Sequence, residues 1–149
     1  MKRGFFVGPL VFFLVVLGCN EPTAPENPNV QVRTDRSSYR IGDTGTLTVR
    51  NRTPHDFGIT PNFCGTPIQR RVGDGWEKIG ELGRRDYRQA CLAVLQHLPP
   101  RASVAVSFSL DEHFQGGNEY RFFVNLTANP GTLSEKGVGK YSNTFTVKD

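Results

Sequence analysis

The sequence has no Gly-x-Ser-x-Gly elbow, no phosphate-cradling glycine loop and no dinucleotide fingerprint. Those motifs set a nucleophile or a row of backbone donors on a strand-to-helix turn. Without them, nothing in the residues points to serine-hydrolase or nucleotide chemistry. Serine, histidine and aspartate are scattered, and no nucleophile is aligned with a base and an orienting group. The expectation is a non-catalytic protein without a cofactor. Histidine is scarce: His55, His97 and His113 are the whole set. They would have to converge from separate loops to hold a metal, and they read as surface residues. The three cysteines include no pair at Cys-x-x-Cys spacing, so zinc is not expected either.

Long apolar runs are also missing, with one exception. Phe5 to Leu17 is apolar apart from Gly8-Pro9 and runs for 13 residues. A spanning helix needs roughly 17 to 25. The run follows Met1-Lys2-Arg3 and ends in a small residue, the layout of an export signal. Its end, Val16-Leu17-Gly18-Cys19, resembles the lipobox of bacterial lipoproteins. That resemblance implies a diacylglycerol thioether on Cys19, cleavage before it and acylation of the new amino terminus, commonly with palmitate. Two or more acyl chains hold a protein on a membrane stably, whereas one holds it marginally. The implied protein is exported and lipid-anchored to the cell membrane or outer membrane through Cys19. Asn20 in place of aspartate favours the outer membrane.

Removal of residues 1–18 leaves 131 of the 149 residues, enough for one domain with its own core. Lys2 and Arg3 leave with the signal, so the formal charge falls from +4 to +2. So slight an excess does not indicate a nucleic-acid partner. With Cys19 lipidated, Cys64 and Cys91 remain as a pair in an oxidising compartment, and a disulfide is the expectation.

Residues 19–29 form the anchor and a linker. Asn20 to Asn29 has three prolines and almost no apolar content, so it cannot bury enough surface to order itself. From Val30 the pattern turns to short alternating runs. Leu47 and Val49 share one face, as do Val104, Val106, Phe108 and Leu110, then Tyr120, Phe122, Val124 and Leu126, then Phe145 and Val147. Period two with β-branched and aromatic residues indicates half-buried strands. Pro67 to Val72 and Trp76 to Ile79, around Gly73-Asp74-Gly75, indicate a hairpin. Gly80 to Gln89 and Ala128 to Lys140 read as long loops, and Ala90 to Leu98 as an irregular or short extended connection. About seven to eight strands over residues 30–149 predict an all-β sandwich.

Three stretches resemble bacterial immunoglobulin-like domains: Tyr39-Arg-Ile-Gly-Asp43 before a strand ending at Asn51, Gly117-Asn-Glu-Tyr120, and the final Ser142 to Val147 strand. The resemblance implies an immunoglobulin-like β-sandwich and a tyrosine corner at Tyr120. The layout is also similar, at fold level, to bacterial proteinase inhibitors of the BsuPI type. Two functions follow as expectations. One is a membrane-tethered binding or accessory domain of the cell envelope, contacting an envelope protein or anionic polymer. The other is a proteinase inhibitor acting through an exposed loop such as Ala128 to Lys140. Arg84, Arg85, Tyr87 and Arg88 are the candidate contact residues, since arginine forks suit anionic groups and tyrosine suits protein surfaces. Trp76 reads either as an exposed binding aromatic or as packing on the sandwich or disulfide; Phe63 and Phe114 share that ambiguity.

Overall fold

The computed structural model describes residues 30–83, 90–91, 94–111, 113–133 and 135–149. The export signal, Cys19, the linker, and the candidates Arg84, Arg85, Tyr87 and Arg88 lie outside the described residues. The described residues form strands β1 Val30–Thr34, β2 Ser38–Arg40, β3 Thr44–Asn51, β4 Phe57–Ile59, β5 Thr66–Val72, β6 Gly75–Leu82, β7 Gln96–Leu98, β8 Ser103–Ser109, β9 Asn118–Ala128, β10 Lys136–Tyr141 and β11 Phe145–Lys148. A 3-10 turn over Pro61–Phe63 joins β4 to β5.

The strands make two sheets. One has the order β1-β3-β8 and is antiparallel throughout. The other is centred on β9. One edge of β9 pairs with β5 at Tyr120–Phe122 and with β4 beyond Leu126; the other pairs with β11 at Asn118–Tyr120 and with β10 from Phe123 onward. β6, β7 and β2 extend this sheet outward, β2 lying parallel to β11. The alternating faces read from the sequence are the ones that meet. Leu47, Val49, Phe108 and Leu110 from the first sheet pack with Tyr120, Phe122, Val124, Leu126, Phe145 and Val147 from the second, all 3% exposed or less. Phe145 sits among Tyr39, Phe108, Phe114, Tyr120 and Phe122 at centroid distances of 5.3 to 6.2 Å. Each such side chain contributes about 1.5 to 3 kcal/mol by leaving water. Phe63 and Phe114 are both core residues, which resolves their ambiguity.

This is an all-β, immunoglobulin-like sandwich, and two details mark it. The first edge strand changes sheets, with β1 on β3 and β2 on β11. The crossing is held at Asp35, whose carboxylate accepts the Tyr39 hydroxyl at 2.7 Å and the Thr46 amide at 2.6 Å. The second detail is the tyrosine corner: the Tyr120 hydroxyl donates to the Gln115 carbonyl at 3.0 Å and accepts from the Gln115 amide at 2.7 Å.

Two expected loops contain strand residues. β6 runs on to Leu82, past the expected end at Ile79, with a register shift opposite Ile68/Gln69. Ala128 to Lys140 is a hairpin, because Lys136–Tyr141 pairs with Phe123–Ala128. Its sequence, Lys-Gly-Val-Gly-Lys-Tyr, has two strand formers among two glycines and two lysines, and the long neighbouring strand supplies the ladder that overrides so weak a preference. Gly139 has a packing reason: a Cβ there would stand 2.5 Å from the Phe123 ring. The strand number exceeds seven to eight in part because the first edge strand is split into β1 and β2 and because β10 forms where a loop was expected; β7 falls in the connection expected to be irregular or short extended.

Candidate partner-binding surfaces

The disulfide Cys64–Cys91 is formed, with an S–S distance of 2.05 Å. It closes an interval of 27 residues. Constraining such an interval in the unfolded chain is worth about 3.5 kcal/mol in the chain-entropy model. It also brings the two ends of the arginine-tyrosine segment together. A Cβ at Gly83, where the described chain leaves β6, would stand 3.3 Å from the Cys64 Cα, and Cys91, where the chain returns, is bonded to Cys64. Gly83 and Cys91 thus lie at one point on the sandwich.

Arg70 and Arg71, grouped by sequence with the arginines of that segment, are engaged in exposed ion pairs. Arg70 pairs with Glu77 at 3.2 Å and donates to Gln115 at 2.9 Å, while Arg71 pairs with Glu119 at 2.9 Å. Pairs this exposed stabilise little, about 0 to 1 kcal/mol. The histidines lie apart. His97 on β7 faces Asp56 at 3.2 Å, His55 is in the loop after β3, and His113 lies against Gly80 of β6.

A cleft of about 550 Å³ opens between the sheets where β6 faces β8. Its floor includes Ile68, Phe108 and Phe114, and its rim includes Glu81, Ser107, Ser109, Asp111 and His113. Glu81 pairs with Lys78, and Asp111 accepts the His113 amide, so both acids have local structural roles.

The cluster that sequence reasoning missed lies on the outer face of the β9 sheet. Arg121 of β9 stands directly opposite Gln69 of β5, and its Nε donates to the Gln69 Oε1 at 2.8 Å. Its guanidinium carbon lies 4.1 Å from the centroid of Trp76 on β6 and 3.8 Å from that of Tyr141 on β10. Tyr141 in turn packs on Phe123 at 4.8 Å. Trp76 therefore packs on the sandwich through an arginine and does not cover the disulfide. Burial lowers the pKa of Arg121, while Tyr141 acts in the opposite direction. Each cation–π contact is worth about 0.5 to 2 kcal/mol, more as the cation loses water. The alternation of residues 119–127 already assigns Arg121 and Phe123 to the outer face. What it cannot assign is the convergence of Trp76 and Tyr141 from two other strands.

No protein-family model matches the chain, and no curated protein matches its sequence. Three solved structures are similar. The ASH/PapD-like domain 7 of human CEP192 is 12% identical, with 100% of this chain and 97% of that one covered and a TM-score of 0.39. Spo0M, a sporulation control protein from Bacillus subtilis, is 14% identical, with 81% and 50% covered and a TM-score of 0.41. The Pseudomonas fluorescens alkylpurine DNA glycosylase AlkC, bound to DNA containing an abasic-site analogue, is 11% identical, with 81% and 31% covered and a TM-score of 0.34. Neither activity nor partner transfers at these similarities.

Proposed function

We propose that this chain is an exported lipoprotein, anchored through Cys19, whose sandwich is a non-catalytic binding or accessory module of the bacterial cell envelope. The anchor rests on the Val16-Leu17-Gly18-Cys19 pattern after a short apolar core. The observation that supports the binding role is the pinned segment. Gly83 and Cys91 meet at Cys64, so the described residues that bracket Arg84, Arg85, Tyr87 and Arg88 in sequence are fixed against one another. A loop with fixed ends loses less conformational freedom on binding than an open one. The partner is an envelope protein or an anionic polymer.

Mass spectrometry of the protein from its native membrane should find an acylated Cys19 amino terminus. A Cys19→Ser chain that is still processed and membrane-bound refutes the anchor. A pull-down from envelope extract with the mature protein should recover a partner. Joint replacement of Arg84, Arg85, Tyr87 and Arg88 by alanine should weaken that partner by about tenfold or more, the scale of losing one or two interfacial arginine or tyrosine anchors. Unchanged affinity makes the segment a spacer.

One observation favours the second reading, a proteinase inhibitor. Leu133, in the connection between β9 and β10, is wholly exposed at 111% relative accessibility. An apolar side chain presented on a short loop between paired strands suits a protease specificity pocket. The protein should then inhibit a chymotrypsin-like protease, and Leu133→Asp should abolish inhibition; no inhibition at micromolar protein removes this reading.

A further inference from the structure

We infer that the outer face of the β9 sheet is a docking site for an acidic, extended segment of a partner protein, which sets a carboxylate on Arg121 and lies along β10. This rests on the reading of the domain as a binding module, but on other residues than the segment 84–88. Arg121 is half-buried, and its Nε is committed to Gln69. Among the described residues no carboxylate pairs with it; the nearest acid along its strand, Glu119, pairs with Arg71 instead. The terminal nitrogens of the guanidinium therefore keep their donors for an incoming acceptor. Trp76 and Tyr141 hold the fork in place, so little of its freedom remains to be lost on binding. A held, partly desolvated guanidinium is suited to two-pronged recognition of a carboxylate.

The surroundings favour a polypeptide over an acidic glycan. A sugar ring stacks on an open aromatic face, and here the guanidinium already covers one face of Trp76 and one of Tyr141. Beside them β10 has what an added strand needs. It pairs with β9 alone among the described strands, so its outward backbone groups enter no ladder there, while β1 of the other sheet runs close by and bonds to Asn143 beyond its end through Thr34. On the outer face it presents Gly137 and Gly139 in phase with Tyr141, and at Gly137 a Cβ would meet nothing within 4 Å. Glycine in a strand interior admits close approach of another backbone. A strand added at about 4.8 Å spacing carries alternate side chains across this face beside Tyr141, within reach of Arg121.

Trp76 is the single tryptophan of the chain, so its fluorescence reports the site directly. The purified full chain is titrated with a peptide of alternating glutamate and threonine, with its glutamine counterpart, and with polygalacturonate. The glutamate peptide should give a saturable change in Trp76 emission, and the glutamine peptide should bind about tenfold or more weakly, the difference between a charge-assisted pair and a neutral one. Arg121→Lys should lose a similar factor, because an ammonium cannot make the fork. Gly137→Asp places a negative charge in open space away from the core. It should keep the wild-type melting temperature and also bind about tenfold more weakly through like-charge repulsion. The quadruple alanine variant of residues 84, 85, 87 and 88 should keep the full response, so failure of either surface is read separately. The proposal is overturned by no saturable change at millimolar peptide, equal binding of the glutamine peptide, tighter binding of polygalacturonate, or unaltered binding by Gly137→Asp.

Discussion

Two tyrosine hydroxyls do the work of tying loops to strands. Tyr120 is fully buried, and its hydroxyl both accepts and donates at Gln115. Tyr120→Phe keeps the ring but strands a part-buried amide, and should cost about 1 to 3 kcal/mol by urea denaturation. Tyr39 works through Asp35. Burial raises the pKa of Asp35, but the Thr46 amide and the Tyr39 hydroxyl outweigh it and leave the value below the ordinary 3.8. A carboxylate whose folded pKa is depressed contributes stability that is present above its unfolded pKa and is lost as pH falls through the folded one. The chain should therefore lose stability on acidification below about pH 4, and Asp35→Asn should flatten that slope in an acid series of thermal melts. Tyr39 has the opposite sign. Burial, then the bond to Asp35, raises its pKa above the ordinary 10.0, so its contribution is lost only at strongly alkaline pH.

Among the elements, the end of β3 has the most to lose. Asn51 is fully buried, and its side chain donates to the carbonyls of His55 and Pro99 at 2.7 and 2.9 Å. Its oxygen accepts the amide and hydroxyl of Thr53 at 2.9 and 2.8 Å. One side chain thus satisfies two loops that would otherwise bury unpaired backbone groups. Asn51→Ala should cost at least about 2 kcal/mol, and Asn51→Asp should fare no better, since a carboxylate cannot donate to two carbonyls. The disulfide is the other element-scale constraint. Joint replacement of Cys64 and Cys91 by alanine should lower stability by about 3 kcal/mol while leaving the circular dichroism spectrum of the strands in place. Neither sheet depends on that bond for its ladder, because β9 carries the register of its sheet through four partners.

At the scale of the whole molecule, the proposed tether and the domain can be tested apart. Among the described residues the core runs from Val30 onward, so Cys19→Ser should change where the protein is found and leave its melting temperature unchanged. Loss of folding in that variant would mean that the amino-terminal segment packs on the sandwich.

The alternation of Tyr120 to Leu126 determined a strand with one buried face, because a pleated strand has a period of two whatever it packs against. The same logic made Leu47, Val49, Phe108, Phe145 and Val147 core residues from sequence alone. Tyr120 was legible as a corner through the resemblance of Gly117-Asn-Glu-Tyr120 to immunoglobulin-like domains, and its contact is local, five residues back. Cys64 and Cys91 were legible as partners because only two cysteines remain once Cys19 is assigned to lipid. Tertiary structure decided the rest. Lys136 to Tyr141 has a mixed strand propensity, diluted by Gly137 and Gly139, and the long β9 offered it a ladder as β10. Asn51 closes contacts to residues 98 and 99, a separation no local pattern encodes. Trp76, Arg121 and Tyr141 stand on three strands, and their meeting depends on which strands neighbour β9 and in what register. Periodicity tells which way a side chain faces; only the sheet order tells what it faces beside.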